Sequence, residues 1–178
     1  MRWPVLVLTI AMLLPCLQAS PASAHGPTPQ KVEEKIVIPK PAAAVWSVIA
    51  NFAALCDWHP GPAKCATSGG NAAGAERTVT LKSGGDIVDG LDEYNAEQMF
   101  YGYRLSKENV EALPVSFYSA TLSVKKLDEA RSEVVWIARL YRADTGNFPA
   151  ENRSDAAAVD AMRTFFREGL EALKAKVN

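Results

Sequence analysis

Residues 154–177 read SDAAAVDAMRTFFREGLEALKAKV, and this stretch decides the fold. Its apolar side chains recur at intervals of three and four residues, which predicts one long amphipathic helix. The apolar positions are Val159, Met162, Phe166, Gly169 with Leu170, Leu173 and Val177. Ser154 is a suitable N-cap, and Asp155 follows it at the positive end of the helix. An apolar stripe of this length needs a large apolar surface to cover it.

The segments before this helix supply such a surface, because their apolar and polar side chains alternate with period two. These alternating segments span residues 32–38, 77–81, 86–94, 99–105, 118–124 and 134–140. Turn signals such as Gly69-Gly70-Asn71 and Gly84-Gly85 separate them. Alternating segments joined by short connections predict an antiparallel sheet with one face turned inward.

A helical segment is predicted between the first two strands. Apolar side chains recur there at helical spacing, with an interruption near Asn51, and they are Val45, Trp46, Ile49, Phe52 and Leu55. The run Trp58-His59-Pro60-Gly61-Pro62 ends the segment. We therefore predict an α+β fold of one domain over residues 32–178. In it, a curved antiparallel sheet of about six or seven strands wraps around the C-terminal helix, and two short helices follow the first strand.

The first 24 residues have the three parts of a secretory signal peptide. Arg2 supplies the charge, residues 3–14 are almost entirely apolar, and Ala22-Ser23-Ala24 places the cleavage site after Ala24. The apolar run is shorter than the about 20 residues that a membrane-spanning helix needs. Export is therefore the prediction, with a membrane anchor or lipidation at Cys16 as less favoured alternatives. The polar residues 25–31 are predicted to form a flexible arm.

The charge of the chain argues against nucleic acid as a partner. The sequence has 19 Lys and Arg against 20 Asp and Glu, a net charge of −1, and removal of Arg2 with the signal makes it −2. Such a chain has no general attraction for phosphates. No second long apolar run follows the first, so we expect no membrane association after cleavage.

Cleavage after Ala24 would leave two cysteines, Cys56 and Cys65. In an oxidising compartment they can form a disulfide, although the sequence leaves open whether they pair. They could also bind a metal with His59, but three ligands are fewer than the four of a structural zinc site. A new amino terminus at His25 could chelate copper through its amine and imidazole. We favour neither site and predict no metal and no cofactor.

A sheet that wraps around a helix leaves room for a cavity, and aromatic side chains with a few polar groups suit a small hydrophobic ligand. The candidate cavity residues are Phe52, Trp58, His59, Arg77, Tyr101, Tyr103, Tyr118, Trp136 and Phe165. The alternative is that the aromatic side chains only fill the core. Arg77 and Arg139 both lie in strand patterns, where an inward arginine could orient an anionic group.

The order of the predicted elements resembles that of the helix-grip superfamily, which includes START, birch-allergen-like and polyketide-cyclase-like proteins. More narrowly, the chain resembles MxaD-type proteins. The stretches that carry this resemblance are His25–Val32, Val45-Trp46 with Asn51-Phe52, Gly69–Asn71, Leu113–Val115 with Tyr118-Ser119, Ser132–Trp136, Leu140–Arg142 and Gly169–Lys174.

The resemblance implies a periplasmic accessory protein without catalytic activity. Such a protein would assist the interaction or electron transfer between a quinoprotein methanol dehydrogenase and its cytochrome c. The first alternative is a periplasmic binding protein for a small hydrophobic ligand.

A less favoured alternative is a polyketide-cyclase-like enzyme. His59, the only histidine in the predicted domain, would then be its acid–base group. The acidic residues Asp57, Asp89 and Glu93 form no recognisable acid–base pair with it. The sequence also lacks a nucleophile elbow, a phosphate loop and a metalloprotease helix. We therefore predict no enzymatic activity and a structural role for His59 in the turn before Pro60.

Overall fold

The computed structural model describes residues 26–177. The predicted signal peptide and the candidate copper ligand His25 lie outside the described residues. The strands are β1 Gln30–Ile38, β2 Pro62–Ser68, β3 Glu76–Leu81, β4 Asp86–Asn95, β5 Phe100–Lys107, β6 Val115–Lys126 and β7 Ser132–Arg142. The helices are α1 Ala42–Ile49, α2 Leu55–Trp58 and α3 Asp155–Val177, with single 3-10 turns at Phe52–Ala54 and Glu151–Arg153.

The predicted helix-grip architecture is confirmed. Seven antiparallel strands form one sheet in the order β1-β7-β6-β5-β4-β3-β2, and the two short helices α1 and α2 follow β1. The alternation in β5, β6 and β7 aligns Tyr103, Ala120 and Ala138 across neighbouring strands, and all three are buried. Gln30 and Lys31, which we placed in the N-terminal arm, pair with Leu140 and Arg139 of β7 and so belong to β1.

The long helix α3 covers the inner face of the sheet. Its buried residues are Ala158, Met162, Phe166, Gly169, Leu170 and Leu173. Phe166 stacks on Trp136 of β7, with ring centroids 4.3 Å apart and planes at 10°. The N-cap prediction is confirmed, because the Ala157 N–H donates to Ser154 Oγ over 3.2 Å. Within residues 26–177, no helix has the length and hydropathy needed to cross a membrane.

Asparagine side chains hold the interruption between α1 and α2. Asn51 Oδ1 accepts from the Ala53 N–H over 3.0 Å and so starts the 3-10 turn. Asn71, in the turn between β2 and β3, accepts from the Phe52 N–H and donates to the Ala50 carbonyl, over 2.9 and 3.2 Å. The same segment is tied to the sheet by a disulfide between Cys56 of α2 and Cys65 of β2, whose Cα atoms are 5.9 Å apart.

Candidate binding site between the sheet and the C-terminal helix

A buried ion pair lies on the inner face of the sheet. Arg77 and Asp89 are direct partners in the register of β3 and β4. The alternation of each strand turns both side chains inward, Arg77 on the face of Val79 and Asp89 on the face of Ile87. Arg77 Nη2 and Nε donate to Asp89 Oδ2 over 2.6 and 3.2 Å. Their exposed fractions are 1% and 2%, so water does not screen the pair.

Neighbouring groups complete the hydrogen bonding of this pair. Arg77 Nη1 donates to the Phe52 carbonyl over 2.8 Å, and its guanidinium lies 4.2 Å from the centroid of the Phe52 ring. The Tyr118 hydroxyl donates to Asp89 Oδ1. Burial disfavours the charged guanidinium, but the charge and hydrogen bond of Asp89, together with the nearby Tyr101 and Tyr103, outweigh this effect, so the pKa of Arg77 is raised. We conclude that both charges are neutralised within the protein.

Two further tyrosines extend this polar cluster. Trp136 Nε1 donates to the Tyr103 hydroxyl over 2.9 Å, and the Tyr103 ring meets Tyr118 edge to face. Burial, followed by the nearby Asp89 charge, raises the pKa of Tyr103 and of Tyr118 well above the usual value. Burial raises the pKa of Tyr101 to about 12, although the Arg77 charge acts in the opposite direction. All three phenols are therefore neutral at physiological pH.

A small interior cavity lies between this cluster and α3. Its volume is about 10 Å³, which is room for about one water molecule. Asp89, Tyr103 and Tyr118 form its polar side. Its other walls are Leu55, Val79, Leu81, Ile87, Leu113, Met162, Phe165 and Phe166. The interior is thus filled by protein side chains.

Three of the nine candidate cavity residues border this cavity, namely Tyr103, Tyr118 and Phe165. The other six pack in the surrounding core, and they are Phe52, Trp58, His59, Arg77, Tyr101 and Trp136. Arg77 points inward, whereas Arg139 is exposed on the outer face.

Asp89 is not among the nine candidate cavity residues predicted from the sequence, although it binds Arg77 and lines the cavity. The signal for Asp89 was its position between the inward Ile87 and Leu91 in an alternating strand.

His59 is held by a hydrogen bond at each ring nitrogen. Nδ1 accepts from the Gly61 N–H over 2.9 Å, and Nε2 lies 2.8 Å from the Phe165 carbonyl of α3. This arrangement assigns the proton to Nε2. Burial lowers the pKa of His59 to about 4, although the bond to the Phe165 carbonyl acts in the opposite direction. Its ring also stacks on Phe165, with centroids 4.0 Å apart.

The alternative metal site of Cys56, His59 and Cys65 is not formed. Both sulfur atoms are used in the disulfide, and both imidazole nitrogens of His59 have protein partners. Over residues 26–177 the structure contains no cluster of three or more His, Cys, Asp or Glu side chains suited to a metal ion.

An open groove runs along α3 above the interior cavity, and we call it the α3 groove. It is lined by residues 60–61, by 81–83 between β3 and β4, by 112–114 before β6, and by the edge of α3 from Asp160 to Glu171. Its volume is about 950 Å³. Leu81, Leu113 and Phe165 line both the groove and the cavity, so these three side chains separate the two spaces.

The family described as polyketide cyclase / dehydrase and lipid transport matches residues 29–178 of this chain. No curated protein matches this chain.

Solved structures with the same fold are similar over most of the chain. The protein XoxI from Bacillus cereus is 21% identical, with a TM-score of 0.69 over 83% of this chain and 94% of that one. A protein from Nitrosospira multiformis is 24% identical, with a TM-score of 0.68 over 84% and 97% of the two chains. The Zhui aromatase/cyclase from Streptomyces sp. R1128 is 17% identical, with a TM-score of 0.67 over 84% and 94%. At these identities the likeness shows the fold alone.

Proposed function

Because this chain belongs to the polyketide cyclase / dehydrase and lipid transport family, we propose that it is a non-catalytic protein that binds a small apolar ligand in the α3 groove. One observation carries the proposal: the floor of the groove is formed by Leu81, Leu113 and Phe165, which continue the apolar core to the surface. An open concave surface with an apolar floor is typical of small-molecule sites. Phe165 is only half-buried, so it can contact a ligand directly.

The absence of catalysis is part of this proposal, and the state of the titratable groups supports it. A general acid or base needs an accessible nitrogen or oxygen and a pKa near the working pH. His59 has both nitrogens engaged and a pKa of about 4. Asp89 is held by Arg77 and Tyr118 in the buried cluster. Neither group is free to transfer a proton to or from a ligand in the groove.

The test is to fill the groove with a large side chain by substitution. The binding of a neutral apolar probe, N-phenyl-1-naphthylamine, is then measured by its fluorescence. Thr164 is exposed and lines the groove, so Thr164→Trp should weaken probe binding by about tenfold or more. Ala156→Trp is the matched control, because Ala156 is exposed in the first turn of α3 and is not among the residues that line the groove. Equal affinities for both variants, or no binding to the unmodified protein, would contradict the proposal.

We also propose that the protein is exported to the periplasm and acts there as an MxaD-type accessory to a methanol dehydrogenase and its cytochrome c. The support is the sequence resemblance together with the filled interior. A cavity of about 10 Å³ holds no organic ligand, and a protein that acts on partners needs only its surface. A binding role in the groove and an accessory role are compatible, because a ligand at the surface can sit beside a partner.

The accessory role has its own test. The gene is deleted in the source organism, and methanol-dependent reduction of cytochrome c is measured in periplasmic extract. We expect slower reduction, restored by adding back the purified protein. The mass of the protein recovered from the periplasm should correspond to a chain that begins at His25. Unchanged reduction after deletion removes the accessory role, and recovery only from the cytoplasm removes the export proposal.

A further inference from the structure

We propose that two copies of this chain associate reciprocally, with Phe148 of each copy inserted into the α3 groove of the other. This inference uses the same apolar floor as the proposed function, but it does not require a bound ligand. It is drawn from an aromatic side chain that stands in water on a braced loop, beside an open groove that fits it.

Phe148 lies in the loop between β7 and α3, and 95% of its surface is exposed. The other large apolar side chains that are exposed in residues 26–177 are Val37, Phe117 and Leu127, with exposed fractions between 40% and 48%. Aromatic rings bury a large apolar area and are enriched at protein interfaces. Phe148 therefore has the exposure of an interface anchor, which distinguishes it from the other three.

The backbone that carries Phe148 is fixed on both sides of it. Arg142 is only 6% exposed, and its Nη2 donates to the Gly146 carbonyl over 2.8 Å. After Phe148, the Arg153 N–H donates to the Ala150 carbonyl over 2.9 Å. Because the loop is already ordered, presenting the ring to a partner costs little further conformational entropy. The same bonds oppose folding of the loop onto the groove of its own chain.

The α3 groove offers a socket for this ring. Leu81, Leu113 and Phe165 form its apolar floor, and Phe165 is half-buried, so an inserted phenyl ring can pack against it. The groove volume of about 950 Å³ is much larger than a phenylalanine side chain, so the ring would leave room for a ligand beside it.

The anchor and the socket are neighbours on the surface of the chain. The Ala143 N–H at the start of the loop donates to the carbonyl of Pro114, which lines the groove, over 3.0 Å. Glu111, just before the groove wall at 112–114, forms an ion pair with Arg153 after the loop. A two-fold axis between two copies can therefore engage both anchors at once, and the contact closes at a dimer. A second copy is the partner for which the chain itself carries the complementary surface.

Sedimentation velocity of the purified protein from about 1 µM to about 1 mM tests the association. Two inserted rings make a small interface, so we expect a weak dimer with a dissociation constant on the order of 100 µM. Phe148→Ser should weaken the dimer by about tenfold or more. Leu127→Ser is the matched control, because it removes an exposed apolar side chain that does not line the groove, and it should leave the dimer unchanged.

The socket is tested by a second pair of variants. Thr164→Trp fills the groove and should weaken the dimer, whereas Thr67→Trp at an exposed position of β2 should not. A mixture of Phe148→Ser and Thr164→Trp then tests the reciprocal contact. The first protein keeps its socket and the second keeps its anchor, so the mixture should associate more strongly than either variant alone.

Three results would overturn the inference: a protein that stays monomeric up to about 1 mM, a Phe148→Ser protein that dimerises like the unmodified one, or a mixture no more associated than its components. If Phe148→Ser changes the binding of N-phenyl-1-naphthylamine to the monomer, the ring covers its own groove, and the inference is wrong as well. In each case, probe binding by the unmodified protein still supports the proposed function. A Phe148-dependent dimer that does not bind the probe removes the proposed function and supports the inference.

Discussion

His59 lies so close to Gly169 that a Cβ atom at residue 169 would stand 2.4 Å from the imidazole Cδ2 and 3.0 Å from Trp136 Cζ3. Glycine weakens a helix by about 1 kcal/mol relative to alanine, so its presence inside α3 needs a reason. The close approach supplies it, because only a residue without a side chain lets the imidazole reach the Phe165 carbonyl.

Gly169→Ala should therefore destabilise the protein, although alanine is the better helix former. We expect the free energy of unfolding to fall by about 1–3 kcal/mol, the usual effect of overpacking a core. Urea denaturation followed by tryptophan fluorescence measures it. Glu168→Ala at the exposed neighbouring position is the control and should change stability by less than about 0.5 kcal/mol. A Gly169→Ala protein as stable as the unmodified one would contradict the described packing of His59.

The stability should also depend on pH through His59. Burial lowers its folded pKa from the usual 6.5 to about 4, so the unfolded chain binds the proton more readily. Stability from this group is complete above pH 6.5 and declines as the pH falls from 6.5 towards 4, by up to about 3 kcal/mol. His59→Gln should show a flatter dependence in this range. In NMR titrations, an imidazole signal of His59 that moves near pH 6.5 would contradict its burial between Gly61 and Phe165.

The buried ion pair should tolerate the loss of one partner poorly. Arg77→Met leaves the Asp89 carboxylate buried without its counter-ion, and we expect a loss of about 3–5 kcal/mol in the free energy of unfolding. Arg139→Met removes an exposed arginine from β7 and should have little effect. In Arg77→Met/Asp89→Asn no charge remains in the cluster, so this protein should be more stable than Arg77→Met alone. If the losses of stability in Arg77→Met and in Asp89→Asn add up to the loss in the double variant, the two charges do not interact.

The disulfide between Cys56 and Cys65 should contribute measurably although it closes a short loop. The sequence separation is nine residues, for which the chain-entropy relation gives roughly 3 kcal/mol. Urea denaturation with and without dithiothreitol tests this value, and Cys56→Ser/Cys65→Ser should match the reduced protein. The double variant itself should be insensitive to the reductant. If reductant leaves the midpoint of the unmodified protein unchanged while the mass confirms reduction, the bond does not stabilise the fold.

The fold could be predicted from the sequence because its elements are marked by periodicity. The stripe on α3 and the alternation of β5 to β7 fixed the faces that pack together, and Ser154 marked the start of the helix. The pairing of Arg77 with Asp89 was also accessible in principle, since both lie at inward positions of consecutive antiparallel strands. The prediction lacked the register of β3 against β4, which cannot be read from the sequence.

The packing of the site could not be predicted in the same way. Whether nine candidate residues enclose a cavity or fill it depends on side-chain volumes and rotamers in three dimensions, not on period. His59 shows the same limit, because its partner Phe165 is 106 residues away along the chain. The turn sequence indicated that His59 was structural, but it contained no signal for the residue that binds its second nitrogen.

The pairing of β1 with β7 has a consequence for the order of folding. Gln30 lies opposite Leu140, so the first strand of the sheet needs the last strand as its partner. Closing the long loop between Gln30 and Leu140 costs more entropy than forming the hairpins between the consecutive strands from β3 to β7. We expect β1 to join the sheet last. In pulsed hydrogen exchange during refolding, the amides of β1 should become protected after those of β5 and β6, and earlier protection of β1 would refute this order.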